Sequence, residues 1–131
     1  MAHSIQVVGE KNEIFDDGDL LILLRMMTEE VEKNTGTYGR LKPFAARWKD
    51  DCDYYTLGAI EIDLDTLVEE PMAKSELLEL LSVVEQRIGN FGDQIPAEIL
   101  NKRWHVPTIY FGDCQTHYLV SAVEKIRTLV A

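Results

Sequence analysis

Three stretches of this chain repeat apolar residues at intervals of three and four, which commits much of it to helices packed on a shared core. Leu20, Leu23, Leu24, Met27 and Val31 form one set. Leu77, Leu81, Val84 and Ile88 form another, and Leu119, Val123, Ile126 and Val130 a third. Residues so spaced lie on one face of a helix. The first helix opens behind Asp16-Asp17-Gly18-Asp19, whose side chains supply capping oxygens and whose charges suit the positive end of the helix dipole. Asn34 and Gly36 stop it. The second is predicted over 74–88, with Gly89 as its stop, and the third over 116–130. Shorter helices are expected behind Pro43, with Phe44, Arg47 and Trp48 on one face, and over 96–103, broken by His105-Val106-Pro107.

Two segments have the β-branched and aromatic character of strands. Ile5-Gln6-Val7-Val8 ends at Gly9, and Thr108-Ile109-Tyr110-Phe111 ends at Gly112. The stretch from Tyr54 to Glu70 fits two periods. Ile60, Ile62 and Leu64 alternate with Glu61, Asp63 and Asp65, which favours a strand over 59–65. Ile60, Leu64, Leu67 and Val68 fit a helix as well. The pattern predicts an α+β fold, a small sheet packed by four to five helices, in one domain spanning 1–131. A chain of 131 residues matches one domain and buries a real core.

Charge is concentrated. Thirty residues, Asp50 to Glu79, hold ten acids and one base, Lys74, and so carry −9 of the net −10. Just before them, Lys33 to Lys49 holds five bases and no acid. Such asymmetry creates a directional field that steers oppositely charged partners. A pI near 4.6 disfavours direct nucleic-acid binding and anionic membrane surfaces, which both require clustered Lys and Arg. The longest apolar run, Leu20 to Leu24, is far short of the ~20 residues that span a bilayer. No export signal is visible at the N-terminus, and the two cysteines, Cys52 and Cys114, form no disulfide framework. Together these predict a cytoplasmic protein with free thiols.

Motifs of catalysis are missing. Asp50, Asp51 and Asp53 lack the spacing of a calcium loop, and His3, His105 and His117 are scattered, so neither metal nor cofactor is expected. There is no nucleophile elbow, P-loop or dinucleotide fingerprint. Cys114 and His117 form a C-x-x-H pair where a helix start could lower a thiol pKa, but such a pairing also arises by chance, and the favoured reading of Cys114 is a small buried cap residue.

The acidic block is the candidate binding surface. As a strand, it would line up Glu61, Asp63 and Asp65 on one face; as a helix, Glu61, Asp65 and Glu69 would form a stripe. Asp50, Asp51 and Asp53 lie beside Tyr54 and Tyr55, and aromatics set among charges are typical of interface hot spots. The simpler alternative is a solvated face neutralised by the bases of Lys33 to Lys49.

The layout resembles the immunity proteins of bacterial polymorphic-toxin and contact-dependent growth inhibition systems. The shared features are Val7-Val8-Gly9 closing a first strand and Gly18-Asp19-Leu20-Leu21 opening a leucine-rich helix. Gly36-Thr37-Tyr38-Gly39 then leads to Pro43-Phe44, followed by Glu76-Leu77-Leu78-Glu79-Leu80 and a closing amphipathic helix from His117 to Val130. The resemblance implies a protein that binds and blocks a cognate toxin, often a basic nuclease, in the cell that makes both.

The expected function is therefore non-catalytic: neutralisation of a basic toxin domain, of nuclease type, through Asp50, Asp51, Asp53, Tyr54, Tyr55, Glu61, Asp63 and Asp65. Two other classes stay open. One is a small carboxylate-dependent hydrolase using an Asp or Glu with His105 or His117. The other is a structural or adaptor subunit that binds its own copy through an exposed apolar patch.

Overall fold

The computed structural model describes residues 2–54, 58–104 and 112–131. Strand β1 (His3–Val8) turns through Gly9 and Glu10 into β2 (Lys11–Asp16), pairing antiparallel from His3 opposite Asp16 to Val8 opposite Lys11. Helix α1 (Asp17–Lys33) follows, then a 3-10 turn (Gly39–Leu41), α2 (Lys42–Tyr54), the single-turn α3 (Leu64–Leu67) and α4 (Pro71–Asn90). A two-residue strand β3 (Gln94–Ile95) precedes α5 (Ala97–Trp104), and its partner β4 (Cys114–Gln115) leads into α6 (Thr116–Val130).

Helix α1 is the centre of the molecule. Eleven of its residues are buried, among them Leu20, Leu23, Leu24, Met26, Met27 and Val31, so it is enclosed on more than one face. It packs against α2, α4 and α6. Asp16 caps it, accepting the N–H of Asp19 at 3.1 Å, and Asn34 closes it. Helix α4 begins with Pro71 in its first turn, where the missing N–H costs nothing. Leu77, Leu81, Val84 and Ile88 are buried as the period predicts, and Gly89 does not stop the helix, which runs to Asn90. Helix α6 buries Leu119, Val123, Ile126 and Val130.

The α+β class and the three long helices match the sequence reading, with two differences. The described residues hold two separate two-stranded ladders instead of one small sheet, and six helices instead of four to five, α3 being the extra turn. Strand β2 was not expected, because Ile14 and Phe15 are adjacent and point to opposite faces: Phe15 is buried and Ile14 is exposed. The strand expected over 108–111 lies outside the described residues.

Residues 59–63 resolve the two-period ambiguity in an unexpected way. Up to Ile62 burial alternates as in an extended chain, with Ile60 and Ile62 buried and Glu61 exposed, yet the segment joins no backbone ladder. Side chains take the place of a neighbouring strand. Buried Gln6 donates to the Ile60 carbonyl at 2.7 Å and accepts the Ile62 N–H at 3.0 Å. Ser4 accepts the Ile60 N–H at 3.0 Å and donates to Asp17 at 2.6 Å, while Asp17 also accepts the Gly58 N–H at 2.8 Å. The indole of Trp48 donates to the Ile62 carbonyl at 2.9 Å. Buried backbone groups must be paired, and this network pairs them. Asp63 then adopts a left-handed backbone, φ 64°, and turns the chain into α3.

Candidate functional site

Helix α2 carries the first part of the acidic block. Its inner face is Phe44, Ala45, Trp48 and Cys52, all buried. Arg47, Asp50, Asp51 and Tyr54 are spaced at i, i+3, i+4 and i+7, so they share a stripe on the outside. The extended segment brings the second part alongside: Arg47 pairs with Asp63 at 2.7 Å, and the Asp51 carboxylate accepts the backbone N–H of Glu61. Two sequence-distant stretches thus converge, placing Asp50, Glu61 and Asp63 close enough to act on Asp51, with Arg47 paired to Asp63.

The electrostatics of the cluster register in Asp51. Partial burial pushes its carboxyl up from the ordinary value, the Glu61 N–H works against that rise, and the charges of Glu61, Asp63 and Asp50 add to it. A carboxyl squeezed by like charges favours a partner that brings positive charge. Tyr54, at the end of the stripe, is 83% exposed, which is far more than a ring of that size normally leaves in water.

Other members of the predicted set go elsewhere. Asp53 faces α1 and pairs with Arg25. Asp65, displaced by the left-handed turn at Asp63, accepts the N–H of Gly9 in the hairpin turn at 3.1 Å. The predicted row of Glu61, Asp63 and Asp65 is therefore broken after Asp63. Tyr55 lies outside the described residues. The basic segment neutralises part of the block, as the simpler reading expected: Arg47 takes Asp63, and Arg40 pairs with Glu70 at 3.2 Å and gives its N–H to Glu76 at 2.9 Å. Among the described residues, Asp50 and Glu61 have no basic partner.

A second feature was read in the sequence only as helix capping. Between β2, the start of α1 and α6 lies a cleft of about 570 Å³, whose lining includes Ile14, Phe15, Asp16, Asp19, Tyr118 and Lys125. Burial, and then the charge of Asp16, raise the Asp19 carboxyl from 3.8 to about 6, against the opposing pull of Lys125 and His117. Cys114 lies 4.0 Å from Asp19. Its thiol is pushed up to about 12 by burial, Asp19 and Asp16, so it is protonated at neutral pH and is not a ready nucleophile. Burial and the two carboxylates outweigh the helix start. Cys52, on the buried inner face of α2, is also pushed up to about 12, chiefly by burial.

Among the described residues, no three His, Cys, Asp or Glu side chains are grouped to hold a metal ion, and no helix is long and apolar enough to cross a membrane. No protein-family model matches the chain, and neither curated proteins nor solved structures give a match.

Proposed function

We propose that the protein is a non-catalytic, immunity-type inhibitor that binds a basic toxin domain, of nuclease type, through the stripe of α2 and the adjoining extended segment. The observation that carries this reading is the convergence of Asp50, Asp51, Glu61 and Asp63 beside the exposed ring of Tyr54. The carboxylates supply orientation and a fast encounter, and the tyrosine supplies apolar area at the centre of contact. A standard complex buries about 1,600 Å² in all, so the surface extends beyond these residues onto the flanks of α2. Arg47 stays inside the cluster as an internal tether for Asp63 and sets the position of the extended segment.

Co-expression tests this reading. The basic toxin domain encoded beside this chain's gene should arrest growth of a bacterial host, and the wild-type chain should restore it. The variant Asp50→Asn, Tyr54→Ala, Glu61→Gln should fold and fail to restore it. Full protection by that variant would remove the stripe from the interface.

One observation favours a second reading. Ile5, Val7 and Ile14 are 55%, 44% and 50% exposed on the outer face of the hairpin. Such a patch suits association of the chain with its own copy. Sedimentation velocity decides: a dimer that Val7→Lys dissociates supports this reading, and a monomer at all concentrations rejects it.

A further inference from the structure

The cleft against α6 is separate from the proposed interface and has the make-up of a small-molecule site. Its volume of about 570 Å³ falls within the range of ligand pockets. The walls are mixed: Phe15 is buried at the back, Ile14 lies on one side, Tyr118, 54% exposed, is at the mouth, and His3, Asp16, Asp19, Ser121 and Lys125 bring polar groups. A smaller cavity of about 200 Å³ shares Asp19 and Tyr118 with it and extends to Cys114. Asp19 therefore stands at the junction of two spaces, half-buried.

The polar groups around Asp19 are committed elsewhere. Asp16 spends a carboxylate oxygen on the Asp19 N–H at 3.1 Å. Lys125 donates to the Ile14 carbonyl at 2.7 Å and holds its ammonium 5.5 Å from the centre of the Phe15 ring. Among the described residues, the Asp19 carboxylate receives only the weak donor of Cys114, at 4.0 Å. A half-buried carboxylate beside another acid, short of donors and facing a cleft, is stabilised by a ligand that brings a cation.

We propose that this cleft binds a small organic cation with an apolar body, of the arylalkylamine class. Its ammonium donates to Asp19, and its ring lies against Ile14, Phe15 and Tyr118. The negative Asp16 reinforces the selection for a cation and against an anion. The exposed ring of Tyr118 adds attraction for an ammonium lying over its face, while the Phe15 ring is already engaged by Lys125. The cavity makes the site; without the surfaces of Ile14, Phe15 and Tyr118 that enclose it, the two acids would be an ordinary charged helix start.

The pH dependence has one sign. Asp16, Lys125 and His117 are the charged groups that act on Asp19, and His3 lines the cleft from β1. Lowering the pH below about 6 protonates Asp19 and removes the charge that the cation meets.

The test is titration of the full chain with phenethylamine at pH 7.5, followed by calorimetry and amide chemical shifts. Phenylacetate, of matching shape and opposite charge, serves as the comparison. Phenethylamine should saturate a single site with shifts centred on the cleft, and phenylacetate should not bind there. Asp19→Asn should weaken the amine at least tenfold, as should a change to pH 5. Ser121→Phe, which fills the cleft without touching the carboxylate, should abolish binding, and circular dichroism should show both variants folded. Equal binding of the two compounds, absence of amine binding, or unchanged affinity in both variants would overturn the assignment.

Discussion

Gln6→Leu isolates the device that positions half of the candidate interface. The native side chain is buried, and its amide bridges the Ile60 carbonyl and the Ile62 N–H at 2.7 and 3.0 Å. Leucine has a similar size but neither donor nor acceptor, so both backbone groups lose their partner in a dry setting. Each unsatisfied buried group costs about 1–3 kcal/mol, and the leucine recovers part of that by apolar contact, leaving about 3 kcal/mol of destabilisation. For a domain of this size that lowers the melting temperature by roughly 10 °C. Urea denaturation should show the midpoint moving with little change in slope, since the surface exposed on unfolding is nearly the same. Amide exchange should rise at Ile62, whose N–H has lost its acceptor. A loss below about 1 kcal/mol, with Ile62 still protected, would refute the idea that this side chain stands in for a strand.

Asp19→Asn should stabilise the protein at pH 7. The folded state raises this carboxyl from 3.8 to about 6, so it holds its proton more tightly than the unfolded chain does. Its charge therefore opposes folding above about pH 6, and the penalty fades as the pH falls toward 3.8. Full burial would make this about 3 kcal/mol, and partial exposure reduces it to roughly 1–2 kcal/mol. Denaturant midpoints should show the gain at pH 7 and its disappearance near pH 4; a gain independent of pH would contradict the assignment. The two cysteines should resist iodoacetamide at pH 8 in the native protein, since burial pushes both thiols up to about 12, and react once urea unfolds it. Prompt native alkylation of Cys114, followed by mass spectrometry, would show the thiol to be activated instead.

The helices were legible because their period is long and their stops are local. Leu77, Leu81, Val84 and Ile88 needed only one buried face to be recognised. The extended segment was half legible: Ile60 and Ile62 announced burial, but the partner that holds them is a pair of polar side chains fifty-odd residues away, Ser4 and Gln6, which alternation with the apolar Ile5 and Val7 assigns to solvent and the fold turns inward. Asp63 hid the turn, since a left-handed residue is usually signalled by glycine. That single backbone choice splits the row of acids that alternation predicted. Charge counting found the acidic block but could not sort Asp53, which pairs with Arg25 on another helix, from Asp50, which stays free among the described residues. The cleft was missed because Asp16 and Asp19 read completely as cap and dipole residues, and only the approach of Tyr118 and Lys125 from the last helix encloses them.

The association rate of the chain with the basic toxin domain proposed as its partner, measured by stopped flow over a range of salt concentrations, tests the central claim most directly. Steered encounters slow steeply as ionic strength rises. Asp50→Asn with Glu61→Gln should reduce the on-rate several-fold at low salt and flatten the salt dependence, with the melting temperature nearly unchanged because both side chains are exposed. Arg47→Ala removes the cluster's internal cation and should act in the opposite sense, speeding association. If neither variant alters the on-rate or its salt slope, the acidic stripe is a solvated face, and the binding surface is elsewhere on the molecule.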